Sequence, residues 1–145
     1  MGQIIRAPWG SGVDSIDRDH EHLHVLMTLA ERSAINGDRR HCGQMLQRAV
    51  LFLEKHAGRE EYVLMRCGYD RVLEVRRSHE RVLVLMEQTL DGIETRDRAA
   101  LIDDLRCIGD FLVDSVARDS YAMRRFFAQP GLRPRASAIA AAARA

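Results

Sequence analysis

The chain has 145 residues, of which 46% are hydrophobic and 30% charged, the balance of a single globular domain rather than a disordered chain. The formal net charge is +1, which does not favour nucleic acid or an anionic membrane as a partner. No apolar run approaches the ~18 residues of a membrane span, and we expect no signal peptide at the N-terminus.

Turn-forming residues divide the chain into an N-terminal arm (1–14), four proline-free segments and a C-terminal tail (128–145). Each of the four segments repeats apolar residues at alternating steps of three and four, the pattern of a helix with one buried face. The segments are 15–36, 39–67, 71–93 and 97–127. Four such helices with short connections predict an all-α, up-down-up-down antiparallel four-helix bundle within one domain of residues 1–145. The alanine-rich tail has high helix propensity and is either a short docked helix or a frayed end.

The chain has three cysteines, Cys42, Cys67 and Cys107, and no two of them form a paired motif. An odd number without a disulfide framework predicts reduced thiols, and therefore a cytoplasmic protein. Because cysteine behaves as a small apolar residue, we expect all three in the core.

Polar residues interrupt the apolar stripe of every segment. They are His20, His56, Glu60, His79, Ser115 and Asp119. In an antiparallel bundle all of them fall toward the same end. Taken singly, each is ordinarily a core residue with a local hydrogen bond. Together, three histidines and two carboxylates at one level would be hard to satisfy by local bonds.

Imidazole and carboxylate side chains are ligands that suit iron, manganese or zinc. The pattern therefore leaves two alternatives open, a metal site and a set of separately bonded core residues. His24 lies one helical turn after His20, at the edge of the first stripe. It is a substitute ligand if it turns inward and a partly exposed histidine if it does not.

At these residues the chain resembles the hemerythrin family, particularly the single-domain bacterial hemerythrins. The resemblance runs from Trp9 to residue 127, through pieces in the family's order that read GVDSIDRDHEHL, HAGREE, GYDRVLEVRRSHERVL and FLVDSVARD. It implies a four-helix bundle that holds two non-heme irons and binds dioxygen reversibly, for carriage, storage or sensing. Carried over by position, the metal ligands are His20, His56 and His79, with Glu60 and Asp119 as the bridging carboxylates.

Two histidines that the resemblance implies are replaced in this chain. Val75 stands one turn before His79, and Ser115 stands in the last helix, where the family has a histidine. One half of the family's site is intact and the other keeps only His79. The intact half consists of His20, His56, Glu60 and Asp119. We therefore expect the site to hold one iron, or none, instead of two.

Two functions of different classes remain open. The first is a hemerythrin-like metal-binding protein with dioxygen as the ligand that the resemblance implies. The second is a helical bundle with a decayed site, acting as an interaction or sensory module without oxygen binding. A small metalloenzyme that uses an open coordination position on a single metal ranks last. No substrate pocket, nucleophile triad or phosphate-binding loop is visible, so an enzyme is not expected. The sequence does not identify a protein partner or an oligomeric state.

Overall fold

The computed structural model describes residues 10–144, which form five α-helices and no strand. The helices are α1 (Asp14–Ile35), α2 (Arg39–Arg66), α3 (Val72–Asp91), α4 (Arg98–Phe127) and α5 (Leu132–Arg144). Each of the four predicted helices is present, with both ends within two residues of the predicted bounds. The first part of the predicted arm, with Pro8 and Trp9, lies outside the described residues, as does Ala145.

Local chemistry explains where the helices begin and end. The side chains of Asp38 and Asp97 accept hydrogen bonds from backbone N–H groups in the first turns of α2 and α4. Gly37 and Gly68 follow α1 and α2 with φ of 76° and 77°, a left-handed conformation that costs glycine little. These tight connections keep consecutive helices side by side.

Each of the first four helices packs against two of the other three, which is compatible with a helix bundle. Helix α1 packs against α2 and α4, and α3 packs against the same two helices. The buried apolar residues form two clusters. The larger joins the second halves of α1 and α3 to the first halves of α2 and α4. The smaller lies at the opposite ends of these four helices and includes residues of α5.

The polar stripe residues lie between the two apolar clusters. On α2, Leu53 belongs to the larger cluster and Val63 to the smaller, and both His56 and Glu60 fall between them. The other three helices likewise have polar residues between the two clusters, in the same order along α4 and in the reverse order along α1 and α3. The bundle interior is therefore apolar, then polar, then apolar again.

The tail forms a packed helix rather than a frayed end. Helix α5 lies against α2 and α1 and buries Ala136 and Ala140, whose small side chains allow a close approach. A guanidinium nitrogen of Arg135 donates a hydrogen bond to the carbonyl of Arg66, 3.1 Å away, at the end of α2. That bond satisfies one of the carbonyls that a helix leaves unpaired at its C-terminus.

Cys42 and Cys67 are buried free thiols, as predicted. The core prediction is wrong for Cys107, which is exposed because it lies one residue off the buried stripe that contains Ile108. Across the described residues, every helix is too short or too polar to cross a membrane.

Candidate metal centre

Glu60 is the centre of a buried polar cluster. It lies four residues after His56 on α2, so both side chains face the interior, with exposed fractions of 2% and 1%. The Nε2 atoms of His20 on α1 and His79 on α3 lie 3.3 and 3.5 Å from Glu60 Oε2. His56 Nε2 forms an ion pair with the same oxygen. Three imidazole nitrogens from three helices thus converge on one carboxylate oxygen.

Two further carboxylates orient two of these imidazoles. His56 Nδ1 lies 3.0 Å from Asp19 Oδ2, and His79 Nδ1 lies 3.0 Å from Glu61 Oε2. An ionised carboxylate only accepts hydrogen bonds, so each Nδ1 carries a proton and donates it. Both Nε2 atoms are thereby directed at Glu60. Histidine ligands of metals ordinarily have such a carboxylate, carbonyl or water partner on the other ring nitrogen.

An arginine stands behind each of the orienting carboxylates. Arg59 donates to Asp19 Oδ2 over 3.1 Å, and Arg76 donates to Glu61 Oε1 over 2.7 Å. In each case the arginine contacts a carboxylate, the carboxylate contacts an imidazole, and the imidazole faces Glu60. The arginine and the imidazole are both on α2 in one series and both on α3 in the other. Both guanidinium groups are more exposed than the carboxylates they contact, so each series runs from the surface to the centre of the cluster.

Attraction between the imidazoles and the carboxylates determines the pKa values of the cluster. Burial alone would lower the pKa of His79, but hydrogen bonds with Glu60 and Glu61 raise it to about 9. Burial likewise opposes charging of His56, yet Glu60 and Asp19 raise its pKa. Burial would raise the pKa of Glu60, but the three imidazoles hold it well below its ordinary value. Near neutral pH the metal-free cluster therefore contains an ionised glutamate and at least one imidazolium.

The donor atoms fit one small cation. Ligand atoms about 2.0–2.1 Å from a tetrahedral metal lie about 3.3 Å from each other. The distance from Glu60 Oε2 to His20 Nε2 matches this separation, and the donor atoms of His20, His56 and Glu60 all lie within 4.8 Å of one another. His79 is 3.5 Å from Glu60 but lies outside this group of three. His56 Nε2 is buried and has no hydrogen bond of acceptable geometry among the described residues, although Glu60 is beside it. Binding a cation would give this buried nitrogen the partner that it lacks.

A cavity of about 20 Å³ adjoins the cluster. His20, His56, Glu60 and His79 line one side of it, and residues of α3 and α4 line the other. The second side includes Ser78, Ser115, Val116 and Asp119. This volume holds about one water molecule, so it suits a very small ligand and excludes an organic substrate of ordinary size.

The remaining predicted residues occupy different positions. Asp119 lines the cavity, but its carboxylate contacts Arg118 at 3.6 Å and is not one of the donors of His20, His56 and Glu60, which lie within 4.8 Å of one another. Burial raises the pKa of Asp119. His24 is exposed and does not line the cavity. The structure thus places His24 outside the cluster.

Both replaced positions lie in the interior. Ser115 is buried and lines the same cavity as Glu60. Val75 is buried within the smaller apolar cluster, one turn before His79. On α3, therefore, an aliphatic side chain fills the position in which the resemblance implies a ligand.

Sequence reasoning missed Asp19 and Glu61. Asp19 lies three residues after Ile16, and Glu61 lies four residues after buried Ala57, so both have helical spacing from an inward-facing residue. That spacing was a usable signal. It marks a residue at the edge of a stripe, however, and does not tell which imidazole nitrogen the carboxylate meets.

The fold and the cluster together define an all-α protein with a buried histidine–carboxylate centre at the junction of three helices. Comparisons of the chain with models of protein families, with curated proteins and with solved structures found no match. The hemerythrin resemblance therefore stays a prediction, and it depends on the residues and spacings of this chain alone.

Proposed function

We propose that the protein is a hemerythrin-like metal-binding protein that holds one non-heme iron at the buried cluster. The ligands would be the Nε2 atoms of His20 and His56 with the carboxylate of Glu60, and His79, which lies 3.5 Å from Glu60, would be the fourth. The observation that carries the proposal is the convergence of these three nitrogens on one buried carboxylate oxygen. The same donors also suit zinc or manganese, so the choice of iron depends on the resemblance.

The proposal includes the up-down-up-down antiparallel bundle. The composition of the two apolar clusters supports this topology, because the end of α1 shares a cluster with the start of α2 and the end of α3 with the start of α4. The smaller cluster shows the converse pairing. In such a bundle the ligands of α1, α2 and α3 meet at one level without any long connection.

One metal is proposed rather than two because of what surrounds Glu60. Apart from His79, the α3–α4 side of the cavity offers two serines, three aliphatic side chains and Asp119, which is already near Arg118. A serine hydroxyl is a poor neutral ligand, and Val75 cannot bind a metal. We therefore leave Asp119, which the sequence predicted as a ligand, outside the proposed ligand set. We also expect no reversible dioxygen carriage, which in the hemerythrin family draws one electron from each of two ferrous ions.

The bound ion would supply a positive charge in a water-poor site, and it would offer an open coordination position by expanding from four to five ligands. The residues of the chain supply the rest. Asp19 and Glu61 hold the two imidazoles in one orientation. The apolar clusters on both sides limit the access of water. Glu60 provides a negative charge that offsets part of the charge of the ion.

Metal counting tests the proposal. The protein is expressed with ample iron, purified without chelator and compared with the variants His56→Ala and His24→Ala. We expect about one iron per chain in the parent and in His24→Ala, which changes an exposed histidine. The His56→Ala variant should bind none, because it loses a buried donor and the pairing of Asp19.

The other outcomes have distinct meanings. Two irons per chain would contradict the single-ion site and indicate that other residues replace the missing histidines. No iron in any variant would favour the decayed-site bundle that acts as an interaction or sensory module. Iron retained in His56→Ala but lost in His24→Ala would contradict the ligand set.

A further inference from the structure

A groove on the outside of the bundle adjoins the metal-site cavity. It lies between α3 and α4 and has a volume of about 310 Å³. Ser78 and Asp119 line both the groove and the cavity, so these two residues form the boundary between them. The groove is therefore the nearest open space on the side of the cavity that carries no proposed ligand.

Arg118 spans this boundary. One of its terminal nitrogens donates to Ser78 Oγ over 3.1 Å, and its Nε lies 3.6 Å from Asp119 Oδ1. The side chain is nevertheless 67% exposed. It reaches from α4 to α3 and presents guanidinium donors to the groove. Such a fork binds planar oxyanions well.

Two more arginines line the groove without acidic partners. Neither Arg77 nor Arg81 has a carboxylate within ion-pair distance among the described residues. The guanidinium of Arg81 lies over the ring of Phe111, 5.1 Å from its centre, which holds the charge at the groove wall. Of the two acids that line the groove, Glu74 is paired with Arg71 and Asp119 is near Arg118. The groove therefore presents unpaired positive charge at the approach to the cavity.

The cavity defines which anion fits. A divalent ion bound by neutral histidines and Glu60 keeps one unit of positive charge, and a buried charge without a partner is costly. The cavity of about 20 Å³ holds about one water-sized group, so it admits one oxygen of the anion while the other atoms stay in the groove beside Arg118. Ser115 adds a hydroxyl group on the side opposite the ligands, whereas the hydroxyl of Ser78 already donates to the carbonyl of Glu74 over 3.2 Å. A small monovalent oxyanion satisfies the charge, the volume and the hydrogen-bonding groups together.

We propose that the α3–α4 groove is the access route and recruitment site for a small monovalent oxyanion that completes the coordination of the metal. Arg77 and Arg81 attract the anion, and Arg118 receives it at the boundary of the cavity. This inference depends on the proposed metal site.

Cobalt-loaded protein provides the test, because the visible spectrum of Co²⁺ reports a change in its ligands. Formate is the probe, and formamide is a neutral control of nearly the same size. We expect formate, and not formamide, to change the spectrum with a saturable dependence. Cobalt content is counted separately in every variant.

The arginine variants locate the route. The double variant Arg77→Gln, Arg81→Gln should have an affinity for formate about fivefold lower than the parent at about 0.01 M ionic strength. At 1 M, where the Debye length is only ~3 Å, the loss should be less than about twofold. Arg118→Gln should weaken formate about tenfold or more at both ionic strengths, because it removes a charge-assisted hydrogen bond. Arg118→Lys should recover part of that loss. Arg125→Gln, an exposed change on α4 outside the groove, should have no effect.

Each result separates the two proposals. A chain that takes up no cobalt overturns the metal site and this inference with it. A cobalt-loaded chain that ignores formate, or binds formamide equally, overturns this inference alone. So does equal formate affinity in the groove variants and in Arg125→Gln.

Discussion

The replacement Glu60→Gln tests whether one carboxylate organises the cluster. It keeps the size of the side chain but removes the charge that three imidazoles face. Breaking a buried charge pair by removing one partner costs about 3–5 kcal/mol of unfolding free energy. In this cluster His79 can lose its proton once Glu60 is neutral, which relieves part of the cost. We therefore expect a loss of about 3 kcal/mol in the metal-free protein.

The same variant should respond weakly to metal. At a free metal concentration about 100 times its Kd, the parent gains about 2.7 kcal/mol of unfolding free energy. If the variant binds ~100-fold more weakly, it gains only about 0.4 kcal/mol at that concentration. Urea unfolding with chelator, and then with a buffered concentration of Zn²⁺, measures both quantities. Glu54→Gln, an exposed change on the same helix, is the control. Equal behaviour of the two variants, with and without zinc, would refute the central role of Glu60.

Three other predictions follow from the same contacts. In the metal-free protein the pKa of His79 is raised from 6.5 to about 9, so the stabilisation by its protonated form is complete below about pH 6.5 and is lost as the pH rises through about 9. The free energy of unfolding, measured by urea with chelator below pH 6.5 and above pH 9, should differ by up to about 3 kcal/mol. A free energy that does not change with pH would contradict the pairing of His79. Asp19→Asn should weaken metal binding about 10–100-fold by loosening the orientation of His56, which a competition titration against a chelator of known affinity measures. Combining Val75→His with Ser115→His should lower the melting temperature without iron and raise both the iron count and the melting temperature with it. If iron uptake does not exceed that of the parent, these are not the missing ligands.

The helices were predictable because their signal is local. Steps of three and four between apolar residues predict which face is buried, and the glycines after α1 and α2 predict where these helices end. The packing of those faces was also expected in outline, because short connections place consecutive helices side by side. The packing of the tail was harder to predict, because Ala136 and Ala140 are buried but do not stand out from the other alanines as an apolar stripe.

The candidate site was predictable in its centre and not in its surroundings. His56 and Glu60 interrupt a strong apolar stripe, and that interruption is visible in the sequence alone. The roles of Asp19 and Glu61 depend on ring orientation, since each carboxylate meets Nδ1 while Nε2 faces Glu60. Helical spacing gives the direction of a Cβ atom and no more. The position of Arg118 across the α3–α4 boundary could not be predicted for the same reason, because helical spacing does not specify which partner a long side chain reaches.

Protons and metal compete for one position in this cluster. Glu60 stays ionised in a buried setting because the imidazoles beside it carry positive charge. A bound cation would replace that charge, and the Nε2 atoms must be free of protons to bind it. The protein should therefore be folded without metal, and metal binding should release protons rather than create the fold. Titration of the metal-free protein with Zn²⁺ in weakly buffered solution at pH 7 measures the release directly. We expect at least about one proton per ion bound, since His79 is protonated at that pH. Binding that releases no protons would mean that the ion lies away from these three histidines, while unfolding on removal of metal would mean that the charged imidazoles do not hold Glu60 in the absence of the ion.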